Sequence, residues 1–206
     1  MIVNDIPDSA LNVKICAIDT ETDTRDGYGL NHRMSKPLCI QYASEQGEYL
    51  VPLTGSMPQN ITRLLESSAI KKVFHFAPFD MRFIYYNTMV MPQNVECTKI
   101  LADCVDPTKQ LYHSHSLQTL LDIELGIKLD KNPDIRLSDW SILTDIQVTY
   151  AMKDVRYLIE LYDRLFSKLS AIGLARYNQA MYYIQKQVEI DCTQYDLDEL
   201  YHYRRN

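Results

Sequence analysis

The chain has 206 residues, of which 46% are hydrophobic and 23% charged, with a formal net charge of −6. That length and balance fit one globular domain and exclude wholesale disorder. The acidic charge argues against a broad basic face that coats long nucleic acid, and leaves room for a small acidic site neutralised by cations. No apolar run approaches the length of a membrane span, and residues 1–14 show no basic region followed by an apolar one, so neither membrane insertion nor a secretory signal is expected. Five cysteines with no Cys-x-x-Cys, two of them (Cys16, Cys39) inside apolar runs, read as reduced thiols of a cytoplasmic protein.

The first element is "VKICAID" (13–19), apolar at almost every position and β-branched at Val13, Ile15 and Ile18. It reads as a strand buried on both faces. "PLCIQYAS" (37–44) and "GEYLVPL" (47–53) follow a polar stretch and read as a hairpin. Residues 58–69 carry Ile61, Leu64, Leu65 and Ala69 at helical spacing, "KKVFHF" (71–76) is a short strand, and Pro78 marks the start of a helix over 78–88. Short helices are expected over 97–105 and 116–126, the second stopped by Gly126, with a polar, mobile segment (106–116) between them. Thr144 and Gln147 form a capping box that opens one long helix to about residue 171, ended by Gly173. An amphipathic helix (174–190) and a Tyr-rich acidic tail (195–203) complete the chain. The order of elements indicates an α/β domain with a mixed sheet flanked by helices. It occupies residues 1–206, with 174–206 as a helical extension suited to a subunit contact.

The buried first strand ends in Asp19 and Glu21. Side chains two apart on a strand share a face, so two like charges stand side by side and need solvent, a basic partner, a shared proton or a cation. Asp80 opens the helix after "KKVFHF", and Asp154 lies one helical turn after Tyr150. Singly, Asp80 also fits an acid facing a helix dipole, Asp154 a solvated helix acid and Tyr150 a core-edge aromatic. Trp140 reads as a packing anchor, and His113 and His115 as solvated loop residues.

In order, "IDTET" (18–22), "HFAPFD" (75–80) and "YAMKDVRYL" (150–158) resemble the DEDD family of 3′–5′ exonucleases, in its tyrosine-bearing branch. "SLQTLLDIELGIKLDK" followed by "LSDW" is similar to the ribonuclease D group, and "VFHFAPFD" with the "MPQ" and "CTKI" near position 95 to the nanoRNase C group within it. The resemblance implies a ribonuclease H-like fold. It also implies a metal-dependent exoribonuclease that degrades short single-stranded RNA, down to dinucleotides, to 5′-mononucleotides. Asp19, Glu21, Asp80 and Asp154 would hold two divalent cations, Mg²⁺ or Mn²⁺, roughly 3.5–4 Å apart, and Tyr150 would orient the attacking water. Thr20, Thr22, His75, Phe76 and Lys131 are the expected substrate contacts, with Leu30 or Tyr28 as an apolar wedge against the terminal base. The active form would be a homo-oligomer. Action on longer RNA or on DNA, or a catalytically silent nucleic-acid-binding scaffold, are the competing readings, since these motifs recognise phosphate and metal and not the 2′-hydroxyl.

Overall fold

The computed structural model describes residues 1–25, 27–129, 135 and 138–193. Five strands form one sheet: β1 (Ile15–Thr22), β2 (Pro37–Ser44), β3 (Gly47–Pro52), β4 (Lys71–Phe74) and β5 (Val95–Cys97). Their spatial order is β3-β2-β1-β4-β5. β2 runs antiparallel to β1 and to β3, whereas β4 is parallel to β1 and β5 parallel to β4. The hairpin and the crossovers thus meet at β1, which becomes the central strand. Seven helices are described: α1 (Gln59–Glu66), α2 (Ala77–Thr88), α3 (Thr98–Val105), α4 (Leu117–Leu125), α5 (Asp145–Arg156), α6 (Leu158–Phe166) and α7 (Ala171–Cys192).

Because side chains alternate along a strand, β1 feeds two cores. Ala17 shares one with Cys39, Ala43 and Val73, closed by Leu101, Leu121, Ala151, Val155, Leu158 and Leu161 from α3 to α6. Cys16 and Ile18 share the other with Ile40, Tyr42 and Phe74, closed by Ile61, Leu64, Met81, Ile84 and Val188 from α1, α2 and α7. This is why β1 is apolar at nearly every position until it reaches its acids.

Three expectations are corrected. The long helix over 145–171 divides at Tyr157, whose backbone (φ −109°, ψ 2°) leaves helical geometry. α5 lies across β1, β2 and β3, whereas α6 packs against α3 and α4, and one straight helix would not cover both. Arg156 fixes the end of the first piece by a bidentate pair with Glu48 of β3, at 2.7 and 2.6 Å. Gly173 does not end that helix but lies in the first turn of α7, where its N–H donates to the Ser170 hydroxyl at 3.1 Å. A Cβ at Gly173 would stand 2.9 Å from the Cys104 carbonyl oxygen, so glycine is there for a close approach of α7 to α3.

The segment 106–116 is pinned, not mobile. The Asp106 carboxylate accepts from the backbone N–H groups of Gln110, Leu111 and Tyr112 at 3.0, 2.8 and 2.7 Å. Tyr112 and His115 are buried, and His115 Nδ1 pairs with Asp103, so His115 is no solvated loop residue, whereas His113 is exposed. The expected Tyr-rich tail and Lys131 lie outside the described residues.

Candidate active site

The acidic end of β1 is held by its pairing with β2. The register sets Asp19 opposite Gln41 and Glu21 opposite Cys39 on β2, with an irregularity between Glu21 and Thr22 where the strand begins to leave the sheet. Asp19 and Glu21 face the side covered by α5. The Thr144–Gln147 capping box starts α5: Thr144 Oγ1 accepts from Gln147 N at 3.3 Å, and Thr144 N donates to Gln147 Oε1 at 3.0 Å. The Gln147 amide nitrogen continues to Ser138 Oγ at 2.8 Å and to the Asp139 carbonyl at 2.9 Å, which fixes the entry to the helix. Two turns later α5 delivers Asp154. One carboxylate oxygen from each of Asp19, Glu21 and Asp154 lies within 4.8 Å of the others. Tyr150, one turn before Asp154, is buried, with its ring centroid 6.2 Å from that of Trp140. Trp140 is therefore a packing partner of Tyr150.

Asp80 is not part of that group. It sits in the first turn of α2, fully buried, and its Oδ1 accepts from the Thr20 hydroxyl at 2.7 Å. Thr20, between Asp19 and Glu21 in the strand, is thus the link from Asp80 to β1. Burial pushes the Asp80 carboxyl up to about 7, against the opposing pull of the Thr20 hydrogen bond. Thr22 donates to the Gly29 carbonyl at 2.6 Å and so ties down the following loop. The hydroxyl protons of Thr20 and Thr22 are thus both committed to protein acceptors.

β4 ends at Phe74, and His75 and Phe76 form the turn into α2. Thr98 Oγ1 donates to the Phe74 carbonyl at 3.3 Å and meets His75 Nδ1 at 2.9 Å. Phe76 adopts a left-handed conformation (φ 71°, ψ 49°), costly for a bulky residue, and its ring is 39% exposed. The Lys99 ammonium stands 4.0 Å from the centre of that ring, a contact for which local sequence gives no signal. Tyr28 and Leu30 are both exposed on the loop after β1.

The clustered donors are carboxylate oxygens alone, which suits a hard divalent cation of the Mg²⁺ or Mn²⁺ kind and not zinc. The sequence model of the 3′–5′ exonuclease domain family matches residues 2–170. The chain belongs to the 3′–5′ exonuclease family. Within that family of DEDD exonucleases it is ribonuclease D-like. Ribonuclease D of Zymomonas mobilis is 32% identical over 183 residues, 82% of this chain and 44% of that relative. The exonuclease chain spans less than half the length of the curated relatives it matches. Brucella melitensis NrnC is 26% identical, with 95% of each chain aligned and a TM-score of 0.80. The same relative with bound Mg²⁺ aligns at a TM-score of 0.77, and bound to pGG at 0.78, each 27% identical and covering 92% of this chain and 91% of that one. The fold is ribonuclease H-like, as the sequence implied.

Proposed function

We propose that this exonuclease hydrolyses the 3′-terminal phosphodiester of short single-stranded RNA, releasing 5′-mononucleotides, with two divalent cations, Mg²⁺ or Mn²⁺. The observation that carries the proposal is the convergence of Asp19, Glu21 and Asp154 at the end of the central strand. Three carboxylates with oxygens within 4.8 Å of one another repel, and a cation among them relieves that repulsion. Divalent cations, when bound, supply activation of water and neutralise charge that develops on phosphate and leaving oxygen.

The protein's own groups divide the remaining work. Asp19, Glu21 and Asp154 would hold the cations, and Asp80, tied to β1 through Thr20, would serve as the fourth acid. The Tyr150 hydroxyl orients the water that attacks phosphorus. The new bond joins water oxygen to phosphorus, the bond to the 3′-oxygen breaks, and that oxygen leaves as the hydroxyl of the shortened strand. Phe76 offers an aromatic face to a base, with Lys99 beside it for a phosphate. His75, oriented by Thr98, and Lys131 complete the substrate contacts, and Thr20 and Thr22 contribute as acceptors or through their backbone.

Preference for short RNA draws on two supports. The net charge of −6 opposes a long polyanion more than a short one. The NrnC relative holds pGG, a ligand two guanosines long. We propose in addition that several copies assemble through α7, which would wall the site and limit what enters. The test is a labelled ladder of RNA and of DNA, from two to twenty nucleotides, assayed with Mg²⁺, Mn²⁺ or EDTA. Cation-dependent shortening from the 3′ end, fastest for the shortest RNA, is expected. Equal rates on DNA or on the twenty-mer would reject the substrate class, and no cleavage at all would reject the activity.

A further inference from the structure

Gln41 occupies the middle of β2 and is fully buried. Its side chain is poorly satisfied. Nε2 donates to Cys39 Sγ at 3.5 Å, a weak acceptor, and Oε1 has no hydrogen-bond partner. Among the described residues only one other buried side-chain polar atom, His115 Nε2, is in that condition. A leucine or methionine would fill the same space without stranding an amide, so the amide calls for a reason.

The sheet register supplies one. Gln41 is the cross-strand partner of Asp19, and Cys39 that of Glu21. Directly opposed residues share a face, with Cβ atoms roughly 4.5–5.5 Å apart. The amide therefore stands beside the first carboxylate of the cation site, under α5, which packs on both strands. A cysteine thiol keeps its proton at neutral pH. A protonated thiol can donate. A half-turn of the terminal amide bond of Gln41 lets Sγ–H donate to Oε1 and brings the NH₂ group to the place of the stranded oxygen. An amide oxygen next to a carboxylate is repelled, and an amide N–H there is attracted.

We infer that Gln41 is a positioning residue for the cation site: its amide NH₂ donates to the Asp19 carboxylate and holds it in the orientation that ligates. The inference rests on the reading of Asp19, Glu21 and Asp154 as cation ligands. Outer partners of this kind orient a ligand and raise its basicity, and their loss weakens metal affinity by about 10–100-fold.

The experiment uses the metal-free full chain, titrated calorimetrically with Mn²⁺, as wild type and as Gln41→Leu. The Mn²⁺ dissociation constant of the variant should rise about 10–100-fold. Its metal-free melting temperature should be unchanged or higher, since a stranded polar group has been removed. Turnover at saturating Mn²⁺ should return close to wild type. Gln41→Met, unbranched and closer in shape, carries the same measurement where Gln41→Leu does not fold. A dissociation constant within twofold of wild type would overturn the inference, as would loss of the fold in both variants, which would make Gln41 structural. A wild-type chain that binds no Mn²⁺ would instead overturn the cation site itself, and the inference with it.

Discussion

Asp19, Glu21 and Asp154 repel one another wherever no cation stands between them, and α5 presses Asp154 onto the other two. Asp19→Asn should therefore leave the metal-free melting temperature unchanged or raise it, while abolishing Mn²⁺ binding and cleavage. Calorimetric melting beside a cleavage assay checks both halves, and a collapse of the metal-free fold would make the acid structural. Tyr150 allows a narrower cut. Tyr150→Phe keeps the ring against Trp140 and removes only the hydroxyl. If that hydroxyl orients water, single-turnover rates should fall by about 10²–10⁴-fold with little change in substrate affinity. Unchanged turnover would leave Tyr150 with packing alone. The acids were legible in the sequence because carboxylates two apart at the end of a doubly buried strand conflict with their surroundings. The tie of Thr20 to Asp80, the place of Gln41 beside Asp19 and the Lys99–Phe76 contact were not. Each depends on strand register or on a left-handed turn, and neither is written in local periodicity.

Elements were legible where one physical signal dominated. The apolar run of β1, the hairpin of β2 and β3, and the capping box of α5 each have one strong cause, and each element forms. The signals that misled were those with two uses. Gly126 does end its helix, in a left-handed conformation (φ 68°) that glycine adopts without strain. Gly173 looks the same in sequence, yet it serves the approach of α7 to the Cys104 carbonyl. Gly173→Ala tests the close approach. An alanine Cβ 2.9 Å from a backbone oxygen forces α7 away from α3, so the variant should lose about 1–3 kcal/mol of stability. Were there no close contact, a glycine in the first turn of a helix would instead gain about 0.5–1 kcal/mol from alanine. Urea denaturation of the purified variant decides between them. The segment 106–116 misled for a related reason: polarity marks solvated loops, but one carboxylate that accepts from three backbone N–H groups also makes a loop rigid. The break at Tyr157 left no sequence mark, because the apolar stripe continues through it while the packing partners change.

At the scale of the whole molecule, α7 has two contrasting sides. Tyr177, Ile184 and Val188 are buried against the domain, and Tyr177 donates to Glu96 at 2.6 Å and accepts from Cys97 N at 3.0 Å. On the outer side Ile172, Tyr183 and Ile190 are all exposed, Ile172 by 76%, and they recur close to whole helical turns, so they align. Tyr182 stands next to Tyr183 with their rings edge to face at 5.0 Å. Arg176 and Lys186 interrupt this apolar line, the pattern of a surface that must stay soluble before it is covered. A second copy of the chain is the proposed cover, and a patch that pairs with itself closes by symmetry. In solution at tens of micromolar the chain should scatter light as a dimer or a higher closed assembly. Tyr183→Glu combined with Ile190→Glu should shift it to a smaller species, with the helical circular dichroism of the domain preserved. If the assembly also limits substrate length, the same variant should gain activity on a twenty-nucleotide RNA relative to a dinucleotide, because the walls around the site open. A wild-type monomer at that concentration would reject the assembly. A dissociated variant with an unchanged length preference would place the selectivity within one subunit, at the loop carrying Tyr28 and Leu30 and at Phe76.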